Sequence, residues 1–138
     1  MIKPGPWPTG GLDPHLARRL ERRAAGAAER PVETLLDEAR SHLAEVRRAA
    51  KNNPFLNVRL AEALCDRLHA VATHWQRMPA EARPWLKGAI AYFAATLDDV
   101  PDLESPIGFD DDCEVLNACL ALAGRPDLQL DPAVYDEL

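Results

Sequence analysis

The sequence lacks the features that mark a disulfide-bonded or a membrane-spanning protein. Its three cysteines are odd in number and show no C-x-x-C spacing, which favours a reducing compartment and three small buried thiols. The longest apolar run is far short of a membrane span, and residues 1–11 lack the continuous hydrophobic region of a signal peptide. We therefore expect one soluble, cytoplasmic domain with a single core, as the length of 138 residues also indicates.

Familiar catalytic motifs are also missing. The chain has no glycine-rich phosphate loop, no G-x-S-x-G elbow and no H-E-x-x-H pair. Cys65 and His69 are spaced to share a face of a helix, but no third soft ligand lies near them, so we do not expect a zinc site. His15 and His42 lie outside any motif, and we predict both to be partly exposed polar residues.

Basic residues are almost absent from the last third of the chain. The net charge is −6, but residues 1–97 carry 15 Lys/Arg against 10 Asp/Glu, and residues 98–138 carry one against 12. An end with a net charge of −11 would repel nucleic acid and attract cations or a basic protein surface. Arginine outnumbers lysine by 13 to three, which is typical of a GC-rich, bacterial genome.

Caps and apolar spacing predict an all-α, single-domain bundle of about five helices. The prolines of residues 1–11 predict an extended arm, residues 12–124 form the bundle, and residues 125–138 are a tail. The helices are expected at about residues 13–29, 31–51, 55–78, 83–97 and 110–123. Gly124 should end the last helix. We expect the second and third helices to form an antiparallel pair at the heart of the bundle.

Four arginines flank the apolar stripe of the first helix, namely Arg18, Arg19, Arg22 and Arg23. Such a cluster can bind nucleic acid, but no aromatic residue lies among these arginines and the stripe is thin. We therefore favour a solvated helix face over a nucleic-acid site. A further possibility is that these arginines face the acidic stretch of the same molecule or of a neighbour.

The stretch from Thr96 to Asp112 is organised differently from the helices around it. It reads T-L-D-D-V-P-D-L-E-S-P-I-G-F-D-D-D, with seven acidic residues, two prolines, one glycine and no basic residue. The prolines and glycine predict an ordered loop between the last two long helices. We call residues 98–114 the acidic loop and regard it as the candidate functional segment.

Residues 91–112 also carry a family-like pattern. They resemble the core motif of the YkvA-like family of small bacterial helical domains of unknown function, A-Y-x-x-x-P-x-D-x-I-P-D-x-x-P-x-x-G-x-x-D-D. Positions that match are Tyr92, Asp98, Pro101, Asp102, Gly108, Asp111 and Asp112, with Val100 at the isoleucine position. Thr96 and Ser105 replace two of the family's prolines. The resemblance covers about residues 85–124 and implies a helical hairpin around a loop, without a known reaction.

The carboxylates of the acidic loop have two interpretations. Asp98, Asp102, Asp111 and Asp112 could gather oxygen ligands for Mg²⁺ or Ca²⁺, although the spacing is not that of an EF-hand. Alternatively, the aspartates cap the fifth helix, interact with its dipole and fix the loop. Consecutive aspartates 110–112 should point in different directions once they are helical.

Two functions follow from these features. The first is a non-enzymatic binding or adaptor module that acts through the acidic loop, either on a basic partner protein or by self-association. The alternative is a divalent-metal-dependent, phosphohydrolase-like enzyme whose metal is held by the loop aspartates. In that enzyme Arg83, Lys87 and Arg125 would be the nearest candidates for binding a phosphate group.

Overall fold

The computed structural model describes residues 12–54, 56–99 and 109–135, with only the backbone of residues 95–99. Within these ranges the chain contains helices and no strands, which confirms the predicted all-α single-domain bundle. The long helices are α1 (Pro14–Ala27), α2 (Val32–Ala50), α3 (Val58–Thr73), α4 (Arg83–Asp99) and α5 (Asp110–Leu122). Short 3₁₀ helices are Trp75–Arg77, Pro126–Leu128 and Pro132–Tyr135. The predicted N-terminal arm and most of the acidic loop lie outside the described residues.

Local sequence signals determine where several helices begin and end. The Asp13 carboxylate accepts a hydrogen bond from the His15 amide at 2.7 Å, with Pro14 as the first helical residue. The Asn57 side chain accepts from the Leu60 amide at the start of α3. Gly124 follows α5 with a φ of +70°, the left-handed conformation that glycine tolerates best. The predicted starts of α1 and α5 and the stop at Gly124 are confirmed.

The third helix is shorter than its apolar spacing predicts. It ends at Thr73 and is followed by the 3₁₀ helix Trp75–Arg77, so the prediction that it continues to Met78 was wrong. Arg83 reaches back across the turn and donates to the backbone oxygens of Gln76 and Met78, both at 3.2 Å. These two bonds hold the chain in its turn, and Met78 is still buried in the core.

Helix α4 occupies the centre of the bundle. It packs against α1, α2 and α5, and its buried side includes Trp85, Leu86, Ile90 and Phe93. Because α4 touches three of the other long helices, the expectation that α2 and α3 form the heart of the domain was wrong. A clear apolar stripe, as on α2 and α3, marks a helix with one buried side. The central helix α4 is buried on several sides and therefore lacks such a stripe.

Helices α2 and α3 do form an antiparallel pair. Arg47 bonds to Glu62 at 2.9 Å, and Arg40 Nη2, two turns earlier on α2, lies 2.9 Å from Nδ1 of His69, two turns later on α3. Moving toward the C-terminus of α2 therefore means moving toward the N-terminus of α3. These contacts are exposed and contribute little free energy, so the buried leucines between the helices carry the packing.

The C-terminal residues pack on the bundle. The Asn117 side chain on α5 accepts from the Leu130 amide at 2.9 Å and donates to the Leu130 carbonyl at 2.7 Å. Arg67 on α3 donates to the Leu128 carbonyl at 3.1 Å, and Leu130 itself is buried. Residues 126–130 are thus bound to both α3 and α5.

Candidate binding surface at the acidic end

The structure describes the side chains of two of the four predicted metal ligands. Asp98 lies in the last turn of α4, of which only the backbone is described, and Asp102 lies outside the described residues. Asp111 and Asp112 both lie in the first turn of α5, but Asp111 is exposed and Asp112 is 3% exposed. Successive helical residues are about 100° apart, so these two carboxylates face different sides. Among the described side chains, no group of three or more His, Cys, Asp or Glu is arranged to hold a metal ion.

The aspartates of α5 lie inside the helix and not at its N-cap. Phe109 is the N-cap residue, and its side chain makes no capping hydrogen bond. Asp110, Asp111 and Asp112 form the first turn, where the free amides give the helix end a partial positive charge. Their negative charges favour the start of the helix through its dipole, which is one part of the second interpretation; the N-cap position itself belongs to Phe109.

His42 packs between helix α4 and the residue that precedes α5. Its ring packs edge-on against Phe93 near the end of α4, with 4.9 Å between ring centroids, and lies 6.4 Å from Phe109. The two phenylalanine rings are themselves 6.2 Å apart. At 2% exposure His42 is a core residue, so the prediction of a partly exposed histidine was wrong.

A second apolar spacing could have identified His42 from the sequence. Leu35, Ala39, His42 and Val46 follow one another at intervals of four, three and four residues, and all four are buried. This stripe is easily missed, because histidine is usually counted as polar and a second apolar stripe runs through Val32, Leu36 and Leu43 on the same helix. The broad buried face of α2 reflects its position between α3 and α4.

An acidic groove runs along α2 beside His42. Its volume is about 450 Å³, and the described residues that line it are Thr34, Asp37, Glu38, Ser41, His42, Glu45 and Ala94. Three of these residues are acidic, and none of those seven is Lys or Arg. Asp37 pairs with Arg40 at 3.4 Å, but this pair is exposed and therefore weak. Glu38 is likewise paired with Arg30, and Glu45 Oε2 lies 3.9 Å from Arg48 Nη2, so each groove carboxylate has an arginine beside it. Because exposed pairs of this kind are weak, the three carboxylates can exchange them for the cations of a partner.

The groove adjoins the start of α5. His42 lines the groove and also packs near Phe109, the residue directly before Asp110. Ala94, another lining residue, follows Phe93 on α4. We use the name acidic end for the groove carboxylates of residues 37, 38 and 45 together with Asp110 and Asp111 at the start of α5; Asp112 is buried and does not belong to it. The sequence did not predict the carboxylates on α2 as part of a candidate site.

The three cysteines are buried, as predicted, and are poor nucleophiles. Burial raises the pKa of Cys113 to about 12, with a further contribution from the charges of Asp110 and Asp112. Burial also raises the pKa of Cys119 and Cys65. A thiol attacks as its thiolate, so these groups remain protonated and unreactive near neutral pH.

The three cations considered for phosphate binding are engaged elsewhere. Arg83 bonds to backbone oxygens in the turn before α4, and Arg125 forms an ion pair with Asp127 at 2.9 Å. Lys87 donates to the Ala28 carbonyl at the end of α1, at 3.3 Å. These contacts give each side chain a structural role that does not depend on the acidic loop.

Comparisons with known proteins do not extend the interpretation. Neither a protein-family model, nor a curated protein, nor a solved structure matches the chain. The resemblance of residues 85–124 to the YkvA-like family therefore stays a prediction. In the part of the chain that the structure describes, no helix combines the length and the apolar character needed to cross a membrane.

Proposed function

We propose that this chain is a non-enzymatic binding module whose acidic end binds a Lys- and Arg-rich segment of a partner protein. The observation that carries the proposal is the acidic groove on α2, which adjoins the first turn of α5 through His42. The groove supplies carboxylates on α2, and the first turn of α5 supplies Asp110 and Asp111. A dipole effect at the start of α5 accounts for the aspartates of that helix but not for the groove.

Charge complementarity supports a basic partner. Residues 98–138 carry a net charge of −11, to which the groove adds Asp37, Glu38 and Glu45. Such a field steers a basic segment toward the surface and suppresses binding of acidic partners. The hydroxyl groups of Thr34 and Ser41 also line the groove and can accept hydrogen bonds from ammonium and guanidinium groups.

The shape of the groove also supports this proposal. A volume of about 450 Å³ can receive one or two long side chains, and its floor is a helix held from within by the buried His42. Because the carboxylates lie on a helix, their spacing is maintained in the absence of a partner. A preorganised surface loses less entropy when it binds.

The test is titration of the full chain with a synthetic Lys- and Arg-rich peptide, followed by calorimetry. The double variant Asp37→Asn with Glu45→Gln removes two groove charges, and each exposed charge pair contributes roughly 0.2–1 kcal/mol. We therefore expect an affinity about fivefold weaker. The matched control is Glu21→Gln with Glu81→Gln, which removes two exposed charges elsewhere and should leave the affinity nearly unchanged.

Two results would overturn the proposal. Equal weakening in both double variants would mean that the peptide responds to net charge alone and does not occupy the groove. The second result would come from a thermal melt of the chelator-treated chain with added Mg²⁺ or Ca²⁺. An ion that binds only the folded state raises the Tm. A rise that disappears in Asp102→Asn, combined with no peptide binding, would favour the metal-dependent hydrolase.

Self-association is a special form of the same proposal. The arginines of α1 on a second copy would then supply the basic surface, and sedimentation of the free chain would show a dimer that dissociates in high salt. A monomer that binds the peptide would favour a different protein as the partner.

A further inference from the structure

A second polar cleft lies between α1 and α4, on the other side of Glu38 from the acidic groove. Its volume is about 270 Å³, and its described lining residues are Arg22, Arg23, Gly26, Ala27, Arg30, Glu38, Ala91 and Ala94. Sites for drug-sized ligands usually measure roughly 300–1,000 Å³. The size of this cleft therefore suits a small group.

The cleft is positively charged. Three guanidinium groups line it with the carboxylate of Glu38; Arg30 is paired with that carboxylate, and Arg23 has a contact of its own. Arg22 is exposed and forms no hydrogen bond or ion pair with the part of the chain that the structure describes. Its guanidinium is therefore available to a ligand at no cost in existing contacts.

Gly26 is the independent observation that points to a ligand. Of the three glycines in the described ranges, Gly124 needs its positive φ and Gly88 has no room for a side chain. Gly26 has neither constraint, because its φ is not positive and a Cβ would meet nothing within 4 Å. Glycine inside a helix costs about 0.5–1 kcal/mol relative to alanine. The missing side chain at Gly26 leaves one wall of the cleft bare, and no gain in packing offsets the cost in helix stability.

The end of the α1 helix explains only part of this arrangement. Cations near a helix C-terminus are stabilised by the dipole, and Lys87 already donates to the Ala28 carbonyl there. The effect falls off within the last turn of α1, which holds no basic residue, so it contributes little to Arg22 and Arg23. It does not account for Gly26, whose missing side chain widens the space between those arginines.

We propose that this cleft, here called the arginine cleft, binds the phosphate group of a small soluble molecule. The planar guanidinium fork matches phosphate oxygens in pairs, and charge-assisted bonds of this kind are the strongest polar contacts in proteins. Arg22, Arg23 and Arg30 supply the donors, and the bare backbone at Gly26 permits close approach. The arginine cleft shares Glu38 and Ala94 with the acidic groove, but its ligand has the opposite charge, so phosphate binding and peptide binding are tested separately.

The test is titration of the ¹⁵N-labelled full chain with inorganic phosphate and pyrophosphate at constant ionic strength. Arg22→Gln should weaken binding by about tenfold, the amount expected for one charge-assisted hydrogen bond. The matched control is Arg18→Gln, one turn earlier on α1, which is also exposed but does not line the cleft. It should change the affinity less than about twofold.

Two further variants separate binding from folding. Gly26→Gln should abolish phosphate binding by filling the cleft while keeping or raising the Tm, because glutamine is a better helix former than glycine. Glu38→Gln should strengthen binding about threefold, because it removes the carboxylate that competes for Arg30. Opposite effects of these two variants are not expected from a structural role of the arginines.

Several outcomes would overturn the proposal. Absence of binding at millimolar phosphate and pyrophosphate would do so, as would equal weakening by Arg22→Gln and Arg18→Gln. A third arm uses vesicles that contain phosphatidic acid. Binding to these vesicles without binding to soluble phosphates would assign the arginines to a lipid headgroup and refute the small-molecule site.

Discussion

Gly88→Ala tests the close contact between α1 and α4. A methyl group at Gly88 would lie 2.8 Å from Ala24 Cβ, 3.0 Å from Ala24 Cα and 3.0 Å from Leu20 Cδ1. Leu20 can rotate away, but Ala24 Cα belongs to the backbone of α1, so relief requires the helices to separate. Overpacking of a core costs about 1–3 kcal/mol, and the better helix propensity of alanine returns about 0.5–1 kcal/mol. We expect a net loss of about 1–2 kcal/mol in the free energy of unfolding.

Urea denaturation measures this loss directly. The midpoint should fall with an unchanged m-value, and the Tm should fall by about 3–8 °C for a domain of this size. Gly26→Ala is the matched control, since it makes the same chemical change on a helix with nothing within 4 Å of the new methyl group. It should leave stability unchanged or raise it by up to about 1 kcal/mol.

A double variant tests whether the clash is with Ala24. Ala24→Gly alone should destabilise the chain, because glycine lowers helix propensity and opens a gap. Combined with Gly88→Ala, it should cost less than the sum of the two single changes, with a coupling of about 0.5–3 kcal/mol. If Gly88→Ala proves as stable as Gly26→Ala, the helices do not approach as closely as the structure requires, and the reasoning fails.

Two further predictions concern the C-terminal residues and the thiols. Asn117→Ala should lower the free energy of unfolding by about 1–3 kcal/mol, because two hydrogen bonds to Leu130 are lost. Limited proteolysis should then cut the C-terminal residues before the bundle. The pKa of Cys113 is about 12 in the folded chain against an ordinary value of 9.0, so the native thiol should resist alkylation at pH 8 and react after denaturation. The folded state holds this proton more tightly, so its contribution to stability is complete below about pH 9 and is lost as the pH rises toward about 12.

Clear results would contradict each of these two predictions. If Asn117→Ala keeps both its midpoint and its resistance to protease, the amide is not what holds Leu130 on α5. If Cys113 is alkylated in the native chain as fast as in denaturant, the thiol is not buried beside acidic groups. Mass spectrometry after digestion assigns the label to one of the three cysteines.

At the acidic end, the sequence predicted how neighbouring residues of one helix are oriented, but not which distant residues they meet in the fold. The sequence indicated that Asp110, Asp111 and Asp112 would diverge once they became helical, and Asp111 is exposed while Asp112 is buried. It did not indicate that carboxylates on α2, some 70 residues earlier, would line a groove at His42, whose ring lies 6.4 Å from that of Phe109. Local patterns are limited to a few turns of chain, whereas a binding surface is assembled from distant segments.

Sequence by itself determined the helices, because caps, prolines and apolar spacing act within one or two turns. Asp13, Pro14 and Gly124 mark their helix ends for reasons that depend only on backbone hydrogen bonds and φ. Tertiary structure alone decided that α4 is central and that Gly88 must lack a side chain. These properties depend on which neighbour each helix face meets. The packing of whole helices decides that, and no local signal encodes it.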